Sequence, residues 1–154
     1  MKILVCADGS EHSQKALEKA SVLAERAKIE AVSIIHVYEG NLELPHYEAS
    51  GGKGYVVTDA DLKYISDQYV MKREKGERIL QQALKVFQEK NIAARTILKQ
   101  GHISHTIVTV AAEEGYDLIF IGNRGLGGLK KIFLGSVSSA VVQEVEDCSV
   151  VIVK

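Results

Sequence analysis

The chain has 154 residues and is 46% hydrophobic, enough for one domain around one core and too little for two ordinary domains. It carries 19 Lys and Arg against 20 Asp and Glu, a formal net charge of −1, so it lacks the electrostatic footprint of a nucleic-acid-binding surface. The two cysteines, Cys6 and Cys148, have neither CxxC nor metal-ligand spacing, which argues against a disulfide-stapled secreted scaffold. The apolar stretch at the N-terminus is too short for a signal peptide or a membrane span, so a reduced, cytoplasmic compartment is expected.

Ile3-Leu4-Val5-Cys6-Ala7 is a continuous apolar run of the kind that suits a strand buried on both faces. It stops at Asp8-Gly9-Ser10, a turn followed by a helix cap. Ser10 and Glu11 suit a helix start. Leu17, Ala20, Leu23, Ala24 and Ala27 then recur at helical spacing, predicting a helix over about 11–28. Residues 31–37, Ala-Val-Ser-Ile-Ile-His-Val, read as a second buried strand. The segment 38–58 holds four glycines and Pro45, the only proline, and is expected to be a long loop. A helical pattern returns over 59–90, with Gly76 as a possible break inside it.

Residues 92–98 form a third strand whose polarity predicts a sheet edge. A helix is expected over 104–114, a fourth strand over 118–121, a helix over 136–145 and a last strand over 149–153. Alternating β and α units imply a parallel sheet covered on both faces. In such sheets ligands bind beyond the carboxyl ends of the strands.

The informative stretch is Gly122-Asn123-Arg124-Gly125, then nine residues, then Gly135-Ser136. Glycines let backbone approach a ligand closely. A helix start offers unpaired N–H groups and a positive dipole end. Together they predict a phosphate cradle, with the Ser136 and Ser138 hydroxyls as added donors and Arg124, Lys130 and Lys131 as nearby cations. No Gly-Lys-Ser/Thr follows, so this is not a Walker A loop. Asp8-Gly9-Ser10 does not supply the GxGxxG dinucleotide fingerprint either.

The Gly-x-x-Gly, nine-residue, Gly-Ser spacing resembles the ATP-binding signature of the universal stress protein family. The resemblance extends to the opening strand with Asp8-Gly9-Ser10, to Ile35-His36-Val37, to Asp117–Gly122 with Arg124-Gly125, and to Gly135-Ser136-Val137-Ser138. It implies a three-layer, Rossmann-like α/β sandwich with a five-stranded parallel sheet in order 3-2-1-4-5, as one nucleotide-binding domain spanning 1–154. It implies ATP binding with Mg²⁺. Cys6, Ala7, Asp8 and Val37 would lie at the adenosine end. Ile121, Gly122, Arg124, Gly125, Gly135, Ser136, Val137 and Ser138 would line the ribose and phosphate end. It also implies a homodimer paired through the strand 149–153. The chain departs from the family pattern at Asn123, where Ser or His is more usual, at Cys6 and at Ser149.

Asp8, the only carboxylate of these motifs, is expected at the far end of the ligand from the glycines. That placement favours a nucleotide-dependent binding module over a slow ATPase or phosphotransferase, which needs a carboxylate at the phosphates. A nucleotide-free dimeric adaptor is the third reading, and the intact glycine set argues against it. Gly122→Val is expected to block nucleotide binding in a chain that stays folded. His36 is read as structural. A metal site at His102 and His105 has no further ligands in sequence, and His12 and His46 show no partner. Cys6 and Cys148 are read as buried thiols that cannot bond, since the fourth strand separates theirs.

Overall fold

The computed structural model describes residues 1–40, 56–126 and 134–154. Most of the expected 38–58 loop, with Pro45 and His46, therefore lies outside the described residues, as do Gly127, Gly128, Lys130 and Lys131. The elements in chain order are β1 (Lys2–Cys6), α1 (Glu11–Arg26), β2 (Ala31–Tyr38), α2 (Asp59–Gln88), β3 (Ala94–Gln100), α3 (Ile103–Glu113), β4 (Leu118–Gly122), α4 (Ser136–Glu144) and β5 (Ser149–Val153).

All strand pairs are parallel and the sheet order is β3-β2-β1-β4-β5. The chain first winds one way from β1 through β2 to β3, then returns to the other side of β1 for β4 and β5. Crossovers of one hand travelling in opposite directions put their helices on opposite faces. The side chains record this. Ile3, Val5, Phe120 and Val153 pack with Ala16 and Leu17 of α1 and Leu80 and Phe87 of α2. Leu4, Cys6, Ile119 and Ile121 pack with Ile107 and Val110 of α3 and Val141 of α4. Successive strand residues thus serve two cores, which is why these strands read as unbroken apolar runs rather than alternating ones.

Caps set the helix ends. The Ser10 hydroxyl oxygen accepts from the Ser13 amide at 3.1 Å. At α2 a capping box closes both ways: the Thr58 amide donates to Asp61 Oδ2 at 2.8 Å, and the Asp61 amide donates to the Thr58 hydroxyl oxygen. The end of α2 explains a shifted boundary. Asn91 takes φ 57°, its amide donates to the Gln88 carbonyl, and the Ile92 amide donates to the Phe87 carbonyl. That is a Schellman cap, so Ile92 belongs to the helix stop and the strand begins at Ala94.

Gly76 does not break α2, which runs unbroken for 30 residues. At this position a Cβ would lie 2.7 Å from both His36 Cδ2 and Leu98 Cδ1. The missing side chain lets the helix settle onto β2 and β3. Gly76→Ala improves helix propensity by about 1 kcal/mol, while overpacking costs about 1–3 kcal/mol. The His36 imidazole is tied to the backbone and resists displacement, so a net loss of about 1 kcal/mol is expected in urea unfolding. A stabilised variant would show that α2 does not press on His36.

From Gly76 onward α2 buries Ile79, Leu80, Ala83 and Phe87. Upstream, only Asp61 of the capping box is buried, while Leu62, Val70 and Met71 are exposed. At about 1.5 Å per residue, the upstream half rises well past the carboxyl ends of the strands. Among the described residues, no helix is long and apolar enough to cross a membrane.

Candidate functional site

The winding reverses between β1 and β4, so the connections leaving these neighbours part and open a crevice at their carboxyl ends. A cavity of about 660 Å³ lies there, within the range of small-molecule sites. All twelve residues singled out from the sequence line it: Cys6, Ala7 and Asp8 after β1, Val37 of β2, Ile121, Gly122, Arg124 and Gly125 after β4, and Gly135, Ser136, Val137 and Ser138 at the start of α4. Ser13, His36, Glu39, Lys72 and Lys75 also line it. The lysines were invisible to motif reading. Their i, i+3 spacing puts them on one helix face, but only the docking of α2 turns that face toward the strand ends.

Asp8 divides its carboxylate between two tasks. Oδ1 accepts the Ser10 amide at 2.9 Å, a turn that redirects the chain from β1 into α1. Oδ2 reaches the glycine loop, so closely that a Cβ on Gly125 would lie 2.6 Å from it. This corrects the expectation that Asp8 sits at the far end from the glycines. β1 and β4 are neighbours, and Asp8 and Gly125 lie two and three residues past their ends. Gly125 is glycine because the loop passes against this carboxylate.

Gly122 has a different reason. A Cβ there would lie 2.8 Å from the His12 carbonyl carbon and 3.0 Å from the His12 oxygen. Its hydrogen faces the backbone of α1, so Gly122 seats the helix against the end of β4. The expectation of a folded Gly122→Val chain does not fit this packing.

Asn123 joins three elements through one residue. Its amide donates to the Val153 carbonyl at 2.8 Å, and its carbonyl accepts from the Gly135 amide at 2.7 Å and the Ser138 hydroxyl at 3.2 Å. Ser138 is buried, and its hydroxyl is also 3.0 Å from the Gly135 carbonyl. Its single proton is thus directed at main-chain oxygens, rather than into the cavity as the sequence suggested. The Asn123 side-chain oxygen is buried and has no hydrogen-bond partner among the described residues.

The start of α4 fits an anion. Its cap is Gly135, and no side chain caps the first turn among the described residues. The first-turn amides of Ser136, Val137 and Ser138 have no acceptor within the helix. Ser136 is exposed. A triphosphate would take those amides and the dipole end, with Arg124 beside them.

The His36 imidazole is fixed by Nδ1, which lies 2.7 Å from the Ala7 carbonyl and donates to it. Burial pushes the Cys6 thiol strongly up from its ordinary value near 9.0, and Asp8 adds to the effect. A thiol raised in the fold but ordinary when unfolded leaves stability intact below about pH 9 and erodes it above. The erosion is up to about 1.4 kcal/mol per pH unit. Urea titrations between pH 8 and 11 should show a shallower decline for Cys6→Ala than for the parent, and equal slopes would refute the assignment. Cys148 is raised more modestly, by burial and Asp117. Both cysteines are free, with β4 between their strands.

Among the described residues, no group of three or more His, Cys, Asp or Glu side chains could hold a metal by itself.

Comparison with known proteins adds context. The family model described as the universal stress protein family matches residues 1–154. Universal stress protein YxiE of Bacillus subtilis is 36% identical, across 99% of this chain and 98% of its own. The solved structure of hypothetical protein MJ0577 superposes with a TM-score of 0.75 at 24% identity, covering 99% of this chain and 96% of that one. The Archaeoglobus fulgidus universal stress protein in complex with dAMP gives 0.66 at 20% identity, covering 100% and 98%. An Arabidopsis thaliana family protein with AMP bound gives 0.63 at 17%, covering 100% and 91%.

Proposed function

Because this chain belongs to the universal stress protein family, we propose that it is a nucleotide-dependent regulatory module holding ATP, with Mg²⁺, in the crevice between β1 and β4. The observation that carries this reading is the convergence of all twelve motif residues on one cavity, beside a helix start whose first-turn amides have no side-chain cap among the described residues. Dissimilar relatives bound to dAMP and AMP support an adenine ligand. The phosphates lie against Gly125 and the first turn of α4, and Val37 lies toward the base. Asp8 Oδ2 is the one motif carboxylate in reach of a cation there, and phosphate oxygens and water supply the remaining ligands of Mg²⁺.

The test is what nucleotide the purified protein carries and how it responds to more. ATP at a hundredfold excess over its Kd adds about 2.7 kcal/mol, which raises the melting temperature by about 5–11 °C. A protein that elutes empty and whose melting is unmoved by ATP would exclude this reading and leave the nucleotide-free adaptor.

Slow hydrolysis is a second reading, favoured by the carboxylate against Gly125. Bound ADP, and its steady release from added ATP, would establish it. Partner presentation follows from β5, an edge strand whose Val150, Val151 and Ile152 are only half-buried. Such an edge templates pairing with a second copy. A homodimer in sedimentation is the expected state, and a monomer at micromolar concentration would remove this edge from the proposal. The compartment proposed is the cytoplasm.

A further inference from the structure

The cavity has a second cationic corner that the ATP reading leaves unused. Lys72 and Lys75 reach it from α2, where that helix passes the carboxyl end of β2. Lys72 Nζ donates to the Glu39 carbonyl at 3.1 Å, which holds its ammonium at the rim. Arg124 and the first turn of α4 approach from the other side of the sheet, beyond β4. The β2 and β4 ends are two strand spacings apart, roughly 10 Å, and α2 and α4 cover opposite faces. The two positive sets therefore stand at diagonal corners. Between them Val37, Ile79, Ile107 and Ile121 form an apolar wall, and the Asp8 carboxylate stands past the end of β1 with Oδ2 turned to Gly125.

A nucleoside with one 5′-phosphate chain satisfies only one corner. Building on the nucleotide reading above, we infer that the preferred ligand class is a nucleoside phosphorylated on two separate ribose oxygens, a nucleoside bisphosphate, with Lys72 and Lys75 contacting the second phosphate. The base rests on the apolar wall, the 5′-phosphates take the α4 amides, and the other phosphate meets the ammonium groups. Each ammonium is a point charge on a four-carbon stem, so it follows a phosphate without demanding one geometry. Among the described residues, Glu39 and Asp8 are the carboxylates on the same cavity. Asp8 turns Oδ2 toward Gly125, away from the lysines, so two ammonium groups stand against the one Glu39 carboxylate at this corner.

The experiment compares adenosine 3′,5′-bisphosphate with AMP by calorimetry on the full chain, for the parent and for the Lys72→Met/Lys75→Met variant. A charge-assisted contact is worth about tenfold or more in affinity. The parent should bind the bisphosphate at least about tenfold tighter, and the preference should shrink as salt is raised. In the variant the ratio of the two affinities should fall to near one. Lys75→Met alone, which keeps the Lys72–Glu39 contact, should lose part of the preference and so guards against a misfolded double variant. Equal affinities in the parent, or a preference that survives in both variants, would overturn the bisphosphate assignment while leaving nucleotide binding intact. A parent that binds neither ligand nor ATP fails at the earlier step, and this inference falls with it.

Discussion

Gly122→Val will cost this protein about 3 kcal/mol of stability, and its melting temperature will fall by about 6–12 °C. The reason is the wall it faces. The nearest atoms to a Cβ at this position are the carbonyl carbon, Cβ and oxygen of His12, at 2.8–3.0 Å. Main-chain atoms in the first turn of α1 cannot swing aside as the end of a long side chain can. α1 must lift from β4, and it carries Ala16, Leu17 and Ala20 of one core with it. Gly122→Ala meets the same atoms and should show most of the loss. Circular dichroism melts of both variants decide the matter, and melting within about 2 °C of the parent would show that α1 has room to spare. Loss of nucleotide affinity in these variants reports displaced structure first and a blocked cradle second.

Ser136→Glu is the cleaner probe of the cradle, because it drives stability and affinity in opposite directions. Ser136 is exposed at the first position of α4. A carboxylate in the first turn favours the helix by about 0.3–1 kcal/mol, so melting should hold or rise slightly. The same charge competes for the amides and repels phosphate. At 4–5 Å and an effective dielectric of about 20, like charges cost about 3–4 kcal/mol, and solvent screening at an exposed site lowers this to about 2–3 kcal/mol. That is roughly 30- to 150-fold in Kd for ATP. The shift is read by calorimetry at fixed salt. Unchanged affinity in a stable variant would move the phosphates away from α4 altogether.

The apolar runs told the strands apart from the helices because each buried strand serves two cores. For the same reason β3, at an edge, reads as polar: Arg95, Thr96 and Lys99 are exposed while Ile97 is buried. The errors at element ends came from residues with two possible employers. Ile92 is apolar, and only the turn at Asn91 shows that it packs under the cap of α2. The site was legible as a set of residues, since glycines, a cap and strand ends each leave a local mark. Their duties were not. Gly76 and Gly122 answer to His36, Leu98 and His12, partners at least 22 residues away in sequence. The Ser138 hydroxyl answers to Asn123, and Lys72 and Lys75 enter the cavity only through the way α2 lies on the sheet. Spacing along a chain carries no information about contacts of that kind.

The bond from the Gly135 amide to the Asn123 carbonyl also changes what the nine-residue interval in the motif means. It fastens the two ends of that interval at its base, so the glycines on either side keep their places whatever is threaded between them. The entropy of closing such a ring rises by only about 0.6 kcal/mol for each doubling of its length. The interval is therefore a region where evolution, or an engineer, can splice in new recognition surface almost for nothing, while the stem from Asn123 to Gly135 stays clasped.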